Sequence, residues 1–319
     1  MLHEEILLDI GQFEPCERCD AIDVGACKTA GHAKCYHAPT MTSPGTRRAA
    51  VAGSWYPDDP EVLEQEVDLY LTGAAPLAGT PVAIIAPHAG LKYSGPIAAY
   101  AYSMLLGCDI DVAVLVGPSH YVAFEGVSIY DGEAFETPLG PVPIDAPCSE
   151  AVATSSRHVR VHPVAHLREH SLEMQLPFLK RVLPGISIVP LVMGYQRRDI
   201  AYELGDAIAA AVEDRRAVIV ASTDLSHYHD ADTAARLDAT VIQHVRRFDA
   251  DGLMSALEAF PEHACGGGPA VAVMRAARAL GAKDARVLKY GDSGDVSGDK
   301  DAVVGYLAAA FGAFAQEAA

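Results

Sequence analysis

The chain predicts a layered α/β sheet protein, and three observations carry that expectation. Short apolar runs of strand type alternate with longer stretches of helical periodicity from Arg47 onward. Half of the 319 residues are hydrophobic, enough to bury a full core. Several apolar runs stop abruptly at Gly, Pro and His, as strands do when they feed a crevice at their carboxyl ends.

Taken in order, residues 1–46 stand apart. Cys16, Cys19, Cys27 and Cys35 crowd this stretch with His32 and His37, and a linker composition, Pro39-Thr40-Met41-Thr42-Ser43-Pro44-Gly45, closes it. The donors suffice for one zinc ion, although only the Cys16-x2-Cys19 half has the spacing of a known site. Alternatively the segment is an appendage with no fold of its own, and Met41 is the first residue of the protein. A separate domain is expected over 47–319. Within it the patterns predict strands at 82–86, 112–117, 126–130, 187–193, 217–222, 286–290 and 302–307. They predict helices at 60–72, 95–106, 172–183, 199–213, 231–247, 249–259 and 268–280.

A formal charge of −18, from 42 acids against 24 bases, excludes nucleic acid and anionic membranes as natural partners. Glu4, Glu5 and Asp9 stand where a secretory leader would carry bases, so a cytoplasmic protein is expected. The seven cysteines are too unevenly spread for a disulfide framework in the main body.

Two histidines repeat one placement. His88 follows Ala83-Ile84-Ile85-Ala86-Pro87, and His120 follows Val114-Leu115-Val116-Gly117-Pro118-Ser119, each on a turn shaped by Gly and Pro. Held at strand ends, the two imidazoles could share a metal, whereas either alone reads as a hydrogen-bonded turn residue. A third strand, 217–222, leads to Asp224-Leu225-Ser226-His227, which places a carboxylate and an imidazole where they can exchange protons or orient a ligand. Cys265 precedes Gly266-Gly267-Gly268 at a helix start, where the dipole and exposed amides are expected to favour the thiolate, as nucleophile or soft ligand. In His170-Ser171-Leu172-Glu173, Ser171 is read as a cap and Glu173 as a first-turn acid, with His170 pointing toward the crevice. Gly53-Ser54-Trp55-Tyr56-Pro57 holds the single tryptophan as a wall of core or pocket.

Together these stretches resemble the Memo family. The resemblance runs in order from about residue 47 to 315. It rests on Gly53-Ser54-Trp55-Tyr56-Pro57, Pro87-His88-Ala89-Gly90 with Tyr93-Ser94-Gly95, Gly117-Pro118-Ser119-His120, Thr137-Pro138-Leu139-Gly140, His170-Ser171-Leu172-Glu173, Ser222-Thr223-Asp224-Leu225-Ser226-His227, Cys265-Gly266, Lys289-Tyr290 and Val304-Gly305-Tyr306. It implies an α/β/α architecture with a central mixed sheet, similar to class III extradiol dioxygenases. It also implies a metal held by His88, His120 and Cys265, with Asp224 and His227 as neighbouring acid and base and Trp55, Tyr93 and His170 around the pocket. Iron(II) is the first expectation for the ion, with copper or zinc as alternatives. In bacteria and archaea the family is component B of the AmmeMemoRadiSam system, so a radical SAM protein and an AMMECR-type protein are the implied partners. Leu91 departs from the aromatic that the family usually shows there, which touches the wall and not the ligands.

Three functional readings follow. The first is a metal-dependent redox or oxygen-handling component acting on an unknown small molecule or peptide. The second is a peptide-binding adaptor whose dioxygenase-like pocket is vestigial. The third is a hydrolase with Cys265 as nucleophile and His227 as base. A fold shared with dioxygenases does not itself establish their chemistry.

Overall fold

The computed structural model describes residues 45–315, so the Cys/His-rich segment and its zinc expectation lie outside the described residues. Strand β1 (Thr46–Arg47) leads to helix α1 (Pro60–Thr72), β2 (Gly79–Ala86), α2 (Leu91–Ser103), β3 (Val112–Pro118), β4 (Val127–Ile129), β5 (Ala134–Phe135) and β6 (Val142–Pro143). Next come α3 (Ala146–Ser155), β7 (Val159–Val161), the short α4 (Val164–Leu167), a 3-10 turn over Glu173–Gln175, α5 (Leu176–Val182), β8 (Ser187–Met193) and α6 (Arg198–Val212). The chain continues through β9 (Ala217–Ser222), β10 (His227–His229), α7 (Ala231–Arg246), α8 (Ala250–Ala259), α9 (Gly267–Ala279), β11 (Asp284–Asp292), α10 (Gly294–Ser297) and β12 (Val303–Phe314).

Nine strands form one mixed sheet in the order β10-β12-β2-β9-β3-β8-β4-β7, with β11 on β12. Its centre, β2-β9-β3-β8, is parallel, and β12 and β4 flank it antiparallel. Strand residues buried on both faces alternate between two cores. Ala83 and Ile85 of β2 point to one, shared with Leu204 and Ile208 of α6 and Val271 and Met274 of α9. Ile84 and Ala86 point to the other, shared with Leu63 of α1, Tyr102 of α2 and Phe178 of α5.

Local chemistry explains the helix starts. Asp59 caps α1 through the amides of Glu61 and Val62, with Pro60 at its first position, and Asp230 caps α7 through Thr233. Asp145 caps α3, a helix that the sequence reading missed even though Asp145-Ala146-Pro147 carries the start signal. Helix α2 begins at Leu91 rather than 95 because the Leu91 amide is held by Trp55 O at 2.8 Å, outside the helix. Strand β12 runs to Phe314 rather than 307. Its Ala308, Ala309 and Ala310 have low strand propensity, yet they are sandwiched between β2 and β11. The expected helix over 172–183 splits into the 3-10 turn and α5.

One buried pair ties the amino-terminal strand to the segment before α5. The Arg47 guanidinium bonds the Glu173 carboxylate and the carbonyls of His166 and Glu169. Glu173 also accepts from Ala50 N (2.7 Å), Val51 N (3.0 Å) and the Tyr56 hydroxyl (2.6 Å). Glu173 is therefore not a helix-dipole acid, as its sequence position suggested, but the anchor of residues 47–56. Replacing Arg47 with Met leaves this carboxylate buried without its countercharge, and about 3–5 kcal/mol of stability should be lost. Denaturant unfolding of Arg47→Met, and partial recovery in Arg47→Met with Glu173→Gln, would check it.

His166 beside this pair is buried, and neither ring nitrogen has a hydrogen-bond partner among the described residues. Burial, reinforced by the Arg47 charge, pushes it down to about 3. The folded value lies below the ordinary 6.5, so the contribution is full above pH 6.5 and declines as pH falls toward 3. The acid limb of a stability profile should flatten in His166→Phe.

Candidate metal centre

The register of the parallel strands sets the site. Ala86 of β2 lies level with Ser222 of β9, and Val116 of β3 level with Ala221. His88, Asp224 and His120 each follow within a few residues, so all three leave the sheet at one edge. Cys265 arrives from the connection between α8 and α9, and its amide donates to Asp224 O at 3.2 Å while the Asp224 amide meets its Sγ at 3.3 Å. Gly266 permits the approach, since a Cβ there would stand 2.4 Å from Ser222 O. The donor atoms of His88, His120 and Cys265 consequently lie within 4.8 Å of one another, with Cys265 Sγ 3.3 Å from His88 Nε2.

Hydrogen bonding fixes which nitrogen each imidazole presents. Ser222 Oγ gives its single proton to Ser171 O (2.6 Å) and accepts from Gln175 Nε2 (2.7 Å), whose amide is oriented by the Tyr102 hydroxyl donating to Oε1. His88 Nδ1, 2.8 Å from the same hydroxyl, must then be the donor, and Nε2 carries the lone pair. For His120 the acceptor is Glu169. Its Oε1 takes Nδ1–H at 2.8 Å and the Ser171 amide at 2.8 Å, and its Oε2 takes the His120 amide at 2.6 Å. Burial alone would raise this carboxyl, but its hydrogen bonds to the His120 ring and amide outweigh it and hold it down. An ionised carboxylate behind an imidazole both fixes the ring and raises its basicity as a ligand. The match to the donor chemistry of a borderline or soft divalent ion is therefore good: two neutral Nε2 atoms and one sulfur.

One expectation is overturned. Burial, then the charge of Asp224, pushes the Cys265 thiol up, so it carries its proton without an ion. The start of α9 favours the thiolate less than its three glycines suggest, because two of their amides are spent elsewhere. Gly266 N donates to Thr223 Oγ1 at 2.9 Å and Gly268 N to Gln196 Oε1 at 2.7 Å, so the helix is capped from two distant segments. This removes the motive for the hydrolase reading, whereas a bound cation would itself favour the thiolate.

A Memo-like protein family model matches residues 47–310, which include every site residue above. The chain belongs to the Memo family. MEMO1 family proteins of Methanothermobacter thermautotrophicus and Methanopyrus kandleri are 38% identical to it over 271 and 280 residues, spanning 82% and 83% of this chain and 98% of each relative. The MEMO1 family protein of Thermotoga petrophila is 35% identical over 276 residues, 82% of this chain and 98% of that protein.

In this Memo-family chain the remaining expected residues surround the donors at different distances. His170 stacks on His120 with ring centroids 4.5 Å apart, and Trp55 lies 4.2 Å from His170 on a tilted plane. Burial and the neighbouring His88 and His120 lower His170 to about 3. Asp224 commits Oδ1 to the His88 amide at 2.7 Å. His227 is half-buried and donates Nδ1–H to Leu225 O at 2.8 Å, so Nε2 is its basic atom. Tyr93 is partly exposed, with the Lys92 ammonium 5.6 Å from its ring centroid. Ser171 caps no helix; its hydroxyl donates to Pro118 O at 3.0 Å.

Neither Glu169 nor Gln196 is singled out from the sequence alone. Glu169 adjoins His170 and could have been noticed as a carboxylate near the motif, whereas Gln196, which bonds both Cys265 O and Gly268 N, carries no local signal. Glu169→Gln and Ser222→Ala should each weaken metal binding by about 10- to 100-fold with the fold retained. Chelator competition measures this, and unchanged affinity in both would show that the imidazoles are oriented by other means.

Proposed function

We propose that this protein is a metal-dependent redox or oxygen-handling component whose ion is held by His88 Nε2, His120 Nε2 and Cys265 Sγ. The observation that carries the proposal is the convergence of these three atoms with both Nδ1 protons committed elsewhere. Iron(II) is the ion we favour, with copper or zinc as alternatives that the same donor set accepts. When bound, such an ion supplies Lewis acidity and, if redox-active, one-electron chemistry that side chains lack. The chain's residues hold and shield it: Glu169 and Ser222 aim the rings, and His170 with Trp55 walls one side. Asp224 Oδ2 and His227 Nε2 are the atoms left to hold or move a proton.

Helices on both faces of a mixed sheet are consistent with an architecture similar to class III extradiol dioxygenases, in which a carboxylate would stand where Cys265 stands here. The family resemblance supports work beside a radical SAM protein and an AMMECR-type protein, on a small molecule or peptide. The acidic surface supports a cytoplasmic setting without nucleic acid or membrane contact. No helix among the described residues is long and apolar enough to cross a membrane.

Elemental analysis of protein purified anaerobically, without added metal, should find one ion per chain. Cys265→Ser should lose it, and Asp224→Asn should keep it. Equal metal in wild type and Cys265→Ser would return Cys265 to a packing role.

A further inference from the structure

Cys265 is approached from two sides. A cleft of about 430 Å³ runs along Tyr195, Met254, Leu257, Pro261 and Ala264 to Cys265. A second cleft, also about 430 Å³, is lined by His227, His229 and Glu262 together with the same Pro261, Ala264 and Cys265. The shared residues make the two clefts neighbours, and each has the size of a small-molecule site.

Their chemistry is opposite. In the first cleft every charged group is already matched: Arg197 with Glu125 (2.7 Å) and Asp199 (2.8 Å), and Glu258 with Arg198 (2.5 Å). Gln196 satisfies the floor itself, donating to Cys265 O at 2.6 Å and accepting from Gly268 N at 2.7 Å. What remains for a guest is the thioether of Met254, the aliphatic surfaces of Leu257, Pro261 and Ala264, and the ring of Tyr195. Tyr195 is 58% exposed, so an aromatic ring stands in water on the wall of an apolar cleft. The second cleft offers the His227 imidazole, whose Nε2 is free, and a carboxylate.

We propose that the cleft along Tyr195 and Leu257 is a subsite for the apolar arm, alkyl or aryl, of a small amphipathic molecule whose polar end reaches the metal centre from the His227 side. The proposal deepens the metal reading and rests on it for the polar end; the apolar subsite stands on its own lining. Cys265 lines both clefts and is one of the three donors, and this selects the occupant: a ligand of the ion has an apolar surface beside it and no unmatched charge to satisfy there.

The test uses the full chain loaded with iron(II) and the straight-chain hydroxamates from acetohydroxamate to octanohydroxamate. Affinity should rise about fourfold per methylene until the cleft is filled, and the methyl resonance of Met254 should shift with the longer chains. Tyr195→Ala, at an exposed wall of the cleft, should make the dependence on chain length shallower while leaving metal content and acetohydroxamate affinity unchanged. A flat series in the wild type, or a slope unchanged in Tyr195→Ala, overturns the subsite. If the chain holds no iron, acetohydroxamate fails to bind and the metal reading falls. Titration of the unloaded chain with n-octanol then decides the cleft alone: a saturating Met254 shift supports it, and no shift overturns it.

Discussion

Ser222 has one proton to give, and where it goes decides the character of the site. By donating to Ser171 O it turns its lone pairs toward Gln175 and His88, which compels His88 to donate through Nδ1 and present Nε2. The same hydroxyl sits at the last residue of β9, level with the end of β2, so the tautomer of one imidazole and the register of two strands are fixed at a single point. Every atom of this cluster is buried, where a broken link leaves a polar group unsatisfied at a cost larger than the bond's net worth.

The segment around His170 gathers this control. At alternate positions, Glu169 holds His120, Ser171 receives Ser222 and reaches Pro118, Glu173 anchors Arg47 and Tyr56, and Gln175 bonds Ser222 and Pro87. A polar side chain at every second place, all of them buried, is unusual for so short a stretch and is affordable only because each is paired. Gly117 lets it close on β3, since a Cβ there would fall 2.6 Å from Ser171 Oγ.

Sequence alone exposed those parts of the fold and site that local patterns encode. Apolar runs ending in Pro-His and Gly-Pro-Ser-His mark strand ends, and a cysteine before three glycines marks a helix start. Hidden were features that only distant residues create. Strand β12 is written largely in alanine, and its strand character comes from its two neighbours. The state of the Cys265 thiol could not be read from its helix, because Thr223 and Gln196 take the amides that would have stabilised a thiolate. Gln196 acts across the fold with nothing nearby in sequence to announce it, and Glu169 is marked only by its place beside His170.

Strand β9 lies between β2 and β3 although it follows both by a hundred residues or more of chain, and this insertion has a consequence for how the protein matures. Until β9 is made, β2 and β3 share no ladder, and nothing spaces His88 from His120. The third donor comes later still, 177 positions beyond the first. During synthesis the ribosome must therefore release most of the chain before a ligand set exists. An ion bound at this site would accordingly be captured by the nearly finished fold rather than by loose histidines.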